Sequence, residues 1–215
     1  MIKFFSLSRR KGKFYLKSKE PKEGYEEVTY GEGQKTYHQY HKSISGIPSH
    51  FGTKEVDYKG TKLNFLELTL QDGDVTNKLS VNLYNRNGYT DEAKVLISAL
   101  NGLELGEKVV LNPTVSKVTG KNGKEYTNLN VYINYLNRTD EKGRNPSTGF
   151  IHFDEIPKPV EKVVAGRSTW DWTEQTEFYY KKLQEIEEKF KGVEQNSSDE
   201  ENPVSQPPET DELPF

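Results

Sequence analysis

"TKLNFLELTLQDGDVTNKLSVNLYNR" (residues 61–86) carries two runs of alternating sequence separated by a four-residue turn. In the first run Leu66, Leu68 and Leu70 share one parity and Phe65 takes the other. After Gln71-Asp72-Gly73-Asp74, Leu79, Val81 and Leu83 alternate with Lys78, Ser80, Asn82, Tyr84 and Arg86. Successive side chains of a strand point to opposite faces, so this pattern predicts an antiparallel pair with one core face. The other face is polar and carries an aromatic and two cations. Asp72 and Asp74 could approach a divalent ion, but Asp-Gly chemistry at a hairpin turn accounts for them without one.

Downstream, "YTDEAKVLISALNG" (89–102) has helical spacing, with Ala93, Leu96, Ile97 and Leu100 on one face and Gly102 closing it. Two further strands follow as a hairpin, "VVLNPTVSKV" (109–118) and "YTNLNVYINY" (126–135), around Asn122-Gly123. In the second of these Leu129, Val131 and Ile133 point inward, while Tyr126, Asn128, Asn130, Tyr132 and Asn134 point outward. Upstream, "TYHQYHKSISGIPSHFGTKEVDY" (36–58) supplies an earlier strand or two whose placement the pattern leaves open. Three strands, a helix and a two-stranded hairpin is the element order of the OB-fold, a partly open five-stranded barrel that binds oligonucleotides. The expected class is mainly β: a barrel over 35–136, preceded by an extension (1–34) that could form a hairpin. An extra strand and a helix (137–191) follow, and then an acidic tail (192–215). Fold alone does not give function.

The outward residues narrow the function. Unpaired bases need stacking partners and their phosphates need cations along the same groove, an arrangement that tolerates any sequence. The candidate stacking residues are Tyr37, Tyr40, Phe51, Tyr58, Phe65, Tyr84, Tyr126 and Tyr132; the candidate phosphate contacts are Lys62, Lys78, Arg86, Lys117, Lys121 and Lys124. Phe65 is either a stacking residue or a plug over a barrel end.

Composition is consistent with such a surface. The chain is 32% hydrophobic and 29% charged, with no cysteine and no membrane-length apolar run. It lacks the apolar core and cleavage site of a secretory leader, so a cytoplasmic location is expected. The net charge of -3 hides a polarity: residues 192–215 hold seven acids and no Lys or Arg, leaving 30 basic and 26 acidic side chains, a net of +4, in the rest. That tail, "GVEQNSSDEENPVSQPPETDELPF", has too little to bury to offset ~1–2 kcal/mol of backbone entropy per residue, and disorder is expected. Before it, "WDWTEQTEFYYKKLQEIEEKFKG" (170–192) predicts a helix, with Asp171 and Glu174 at capping-box spacing, Tyr179, Leu183, Ile186 and Phe190 as its docked stripe and Gly192 as its stop.

The tail ends in "DELPF", which resembles the C-terminal tip of bacterial single-stranded DNA-binding proteins, where a short acidic run precedes an aliphatic residue, Pro and Phe. Asp211 and Glu212 match the acids, Leu213 the aliphatic position, and Pro214 and Phe215 the end. The resemblance implies an OB domain that binds single-stranded DNA and a tip that recruits replication, recombination and repair proteins. It covers 35–136 by pattern and 209–215 by motif. The extension, the 137–191 insertion and the short linker depart from it. They suggest a divergent, bacteriophage-encoded member that is a monomer or dimer rather than the family's tetramer.

Enzymatic readings fare poorly, and neither a cofactor nor a metal is expected. His38 and His41, three apart on a strand, should face opposite ways. "GKNGKEY" (120–126) lacks the pattern of a phosphate-binding loop, and no Ser, His and Asp arrangement stands out. The alternative to strand binding is a protein-binding adaptor of the replication machinery with no affinity for nucleic acid.

Overall fold

The structure, a computed structural model, describes residues 1–31, 33–85, 88–119, 123–164 and 167–196. Arg86, Lys121 and the tip Asp211–Phe215 lie outside the described residues, as does most of the expected disordered tail.

The protein is mainly β. Its strands are β1 (Ile2–Ser8), β2 (Lys13–Ser18), β3 (Glu26–Tyr30), β4 (Gln34–His41), β5 (Ile44–Tyr58), β6 (Thr61–Asp72) and β7 (Val75–Asn82). A two-residue pair β8 (Tyr84–Asn85) and β9 (Gly88–Tyr89) precedes helix α1 (Asp91–Leu100), then come β10 (Val109–Thr119) and β11 (Glu125–Tyr135). The chain continues through the ribbon β12 (Val160–Val164) and β13 (Arg167–Asp171) into helix α2 (Thr173–Asn196).

Nine strands form one mixed sheet in the order β11-β10-β5-β6-β7-β1-β2-β4-β3. The alternation in residues 61–82 sets its centre: Leu68 lies between Phe51 and Leu79, and Leu66 lies opposite Val81. All five side chains are buried, and each fully buried apolar side chain contributes about 1.5–3 kcal/mol. Strand β5 serves two partners, β10 through Ile44–Gly46 and β6 from Ile47 onward. Gly46 sits where it crosses between them; a Cβ there would lie 2.9 Å from both the Gln71 carbonyl oxygen and Leu70 Cβ. Lys108 Nζ clamps the β6–β7 turn to the start of β10 by donating to Asp72 at 2.6 Å, while Ser45 donates to the other oxygen of Asp72.

Three expectations change. The sheet is not closed by β7 meeting β11, because β7 instead pairs in parallel with β1, Phe5 lying opposite Leu79. Residues 1–34 are therefore not an appendage. The expected hairpin exists, with Phe5 against Leu16 and Leu7 against Phe14, and Phe5, Leu7 and Phe14 belong to the main core. Strand β4, which the sequence assigned to the barrel, pairs with β2 and β3. Lastly, α2 runs past Gly192 to Asn196, since glycine weakens a helix without ending it where no left-handed cap forms.

Both helices follow their patterns. Ala93, Leu96, Ile97 and Leu100 of α1 are buried, and so are Tyr179, Leu183, Ile186 and Phe190 of α2. Thr90 caps α1 by accepting from the Ala93 N–H at 3.1 Å. Asp171 accepts from the Thr173 N–H at 3.0 Å at the start of α2. That contact and a hydrogen bond from Lys162 hold its carboxyl well below the usual carboxylate range, Lys162 being the larger cause.

Candidate nucleic-acid interface

The register of β5, β6 and β7 sorts their side chains into a core face and an outer face. On the outer face Thr69 lies between His50 and Lys78, Glu67 between Gly52 and Ser80, and Phe65 between Lys54 and Asn82. This is a half-buried aromatic ring on a polar surface, with Lys54 directly across on one side and Lys78 on β7 four residues further along. Lys78 makes no ion pair among the described residues, whereas Lys54 lies 3.8 Å from Glu67. Chemically, such a face offers one ring for stacking and cations for a polyanionic backbone.

The expected stacking residues do not all gather there. Phe65 stands on this face, and Tyr58 shares its parity at the far end of β5, with Lys59 Nζ 5.3 Å from the ring centroid. Tyr40 lies on the continuation of the face, opposite Tyr15 of β2. Tyr126 and Tyr132 are exposed on the outer side of β11, opposite Val118 and Asn112. Tyr84 is exposed on the β8–β9 hairpin, its ring 4.9 Å from that of Tyr89.

Two candidates are corrected. Phe51 is only 3% exposed and packs on Phe190 of α2 at 5.6 Å. A bulge between Pro48 and His50 inserts one residue and returns Phe51 to the core side. Tyr37, three residues before Tyr40, takes the opposite face, half-buried and opposite Ser18 and Glu27.

The expected cations divide likewise. Only Lys78 stands mid-sheet on the face that carries Phe65, opposite Thr69. Lys62 is at the β5–β6 tip and donates to Glu55 at 2.7 Å, a hydrogen bond that raises its pKa. Lys117 pairs with Glu125 at 3.1 Å near the β10–β11 tip, and Lys124 is exposed close by. Exposed pairs of this kind hold their partners weakly, at ~0–1 kcal/mol, so a phosphate can compete for either lysine.

Sequence reading missed a second aromatic cluster. Tyr15 stacks on His38 with centroids 4.3 Å apart and planes 14° from parallel, and His38 is 2% exposed. The ring nitrogens of His38 meet the hydroxyls of Tyr30, Thr36 and Tyr40 at 3.2–3.3 Å. Burial, then the charges of Lys17 and Lys11, push the imidazole below its ordinary pKa. Lys11 Nζ sits 3.8 Å above the Tyr40 ring. As expected, His41 points the other way, edge-on to Phe5 at 5.2 Å. The available signal was "KFYLKS" (13–18), where Phe14 and Leu16 alternate with Lys13, Tyr15 and Lys17 just as Leu79 and Val81 of β7 alternate with Lys78 and Ser80.

A separate concavity of about 450 Å³ opens between α1, β11 and the segment after it, lined in part by Lys94, Tyr132, Phe150 and Phe153. Lys94 donates to Gln175 at 2.7 Å and lies 5.0 Å from the Trp172 ring; burial lowers its pKa. Among the described residues no group of three or more His, Asp or Glu side chains could hold a metal ion, and no helix is long and apolar enough to cross a membrane. In comparisons with known proteins the chain matches no family model, no curated protein and no solved structure.

Proposed function

We propose that this chain is a non-enzymatic, sequence-tolerant single-stranded DNA-binding protein. It protects exposed strands during replication, recombination or repair and recruits partner proteins through Asp211, Glu212, Leu213, Pro214 and Phe215. The observation that carries the reading is the outer face of β5–β6–β7, which presents Phe65 beside Lys54 and, four residues along β6, Lys78 and His50 on either side of Thr69, while Phe51, Leu66, Leu68, Leu70, Leu79 and Val81 on the opposite face belong to the core. The topology supports an OB-type unit: a β5–β6–β7 meander, α1, then the β10–β11 hairpin, with β5 paired to both β6 and β10. In such a unit the β5–β6 and β10–β11 tips flank the bound strand, and here they carry Tyr58, Lys62, Lys117, Lys124 and Tyr126. The N-terminal strands depart from the unit by occupying the edge of β7. The proposal includes a bacteriophage origin, a cytoplasmic location and a monomer or dimer.

Anisotropy titration with oligo-dT, oligo-rU and duplex DNA at two salt concentrations tests the body. Preference for single strands with a negative salt slope supports it; equal, weak affinity for all three overturns it. Deleting Phe215 should abolish partner capture and leave oligo-dT affinity intact or slightly raised. Capture that survives the deletion refutes the role of the tip.

One observation favours the adaptor reading instead. Val163 and Trp170 lie on one face of the β12–β13 ribbon and are 74% and 55% exposed, an apolar pair suited to a protein partner. Retained partner binding with no affinity for any oligonucleotide is its signature.

A further inference from the structure

We infer that the single-strand path continues off β7 onto β1 and β2, with Phe4 as a base-stacking residue held between Lys78 and Lys17. This inference rests on the single-strand reading above.

Strand β1 lies in the interior of the nine-stranded sheet, yet Phe4 on it is 63% exposed. Core packing does not explain the ring: its neighbour Phe5, on the other face, is 4% exposed and supplies the core contact with Leu79. Phe4 stands directly across from Lys78 on one side. On the other, continuing the register that pairs Phe5 with Leu16 puts Lys17 beside it, and Lys17 in turn faces His38. Neither lysine makes an ion pair among the described residues. Lys17 Nζ leans toward the Tyr30 ring at 5.9 Å, and burial, with Lys19 nearby, lowers its pKa.

The result is one row across six strands: His38, Lys17, Phe4, Lys78, Thr69 and His50. At a strand spacing of about 4.8 Å it spans about 24 Å. Along it the exposed ring of Phe4 lies between two cations, as a stacked base and its phosphates require, while His38 is buried against Tyr15. At the β4 end the row reaches the Tyr15–His38 stack, whose hydrogen bonds to three hydroxyls fix it as a rigid platform.

A second copy of the chain is the other occupant an exposed Phe could take. A two-fold contact centred on Phe4 would bring the lysines on either side of it toward those of the other copy, and like charges facing across an interface oppose association. A polyanion has the opposite preference.

The test uses the full chain with Phe4→Ala, Phe4→Trp and Phe65→Ala, titrated with oligo-dT by anisotropy, alongside sedimentation velocity and thermal unfolding. Phe4→Ala should weaken oligo-dT binding about five- to 150-fold with an unchanged melting midpoint, and Phe4→Trp should retain affinity. Lys17→Ala should reduce the salt slope by about 0.7. If Phe65→Ala weakens binding while Phe4→Ala binds like the unaltered chain, the path stops at β7 and the inference fails alone. If the unaltered chain does not bind oligo-dT, the functional reading fails and takes this inference with it. A dimer that Phe4→Ala dissociates without change in oligo-dT affinity also overturns it, assigning the patch to self-association.

Discussion

Replacing Phe65 and Lys78 separately should change oligo-dT binding in two distinguishable ways. Phe65 lies half-buried between Lys54 and Asn82 on the outer face, and Lys78 is opposite Thr69 on the same face. If Phe65 stacks a base, Phe65→Ala removes about 1–3 kcal/mol of binding, a loss of about five- to 150-fold, at every salt concentration. If Lys78 contacts one phosphate, Lys78→Ala lowers the magnitude of the log–log salt slope by about 0.7. Between 200 and 50 mM salt that difference is fourfold raised to the power 0.7, so the variant should gain about 2.6-fold less affinity on dilution than the unaltered chain. Anisotropy titrations at four or five salt concentrations give both quantities. Urea unfolding of each variant separates binding from stability, and Phe65→Tyr should keep most of the affinity. A Phe65→Ala variant with unchanged affinity, or a Lys78→Ala variant with an unchanged slope, refutes the assignment of that residue.

Phe51→Ala should lower stability by about 3–5 kcal/mol, through the contact with Phe190, with no specific loss of DNA affinity in the folded protein; urea unfolding checks the first and titration the second, and a stable variant that fails to bind reverses the assignment. Gly102→Ala should destabilise by about 1–3 kcal/mol, because its Cβ would collide with the Gly149 backbone, whereas Gly149→Ala meets only ordinary contact at 3.7 Å and should be nearly neutral; equal midpoints for the two would contradict this. Stability should fall as pH drops from about 7, because burial lowers the folded pKa values of His38 and His41 and the unfolded chain takes up those protons first. The loss should level off below the folded values, and His38→Gln with His41→Gln should flatten the urea midpoint against pH.

Local periodicity made much of this fold legible. The alternation of Leu66, Leu68 and Leu70 with Leu79 and Val81 gave the central hairpin and its core face, and helical spacing gave both buried stripes. What was not legible was non-local or came from a one-residue irregularity. No pattern in residues 2–8 states that they pair with 75–82 rather than with a later strand, because parallel pairing leaves no turn signature. The bulge before His50 inverted the parity of Phe51, and it depends on how β5 divides between β6 and β10. The candidate surface was half legible for the same reason: Lys78 and Phe65 follow from local alternation, whereas Phe4, Tyr15 and Lys17 join them only through a strand partner the sequence does not announce.

The parallel seam between β1 and β7 has a kinetic consequence. Ile2 leaves the ribosome well before its partner Thr76, which emerges only after β2 to β6 have been made. At ~5–20 residues per second the N-terminal hairpins wait several seconds with Phe5, Leu7 and Phe14 uncovered. Refolding from denaturant should therefore depend on a late, long-range docking event, and a circularly permuted chain in which β1 follows β7 closely should reach the native state faster.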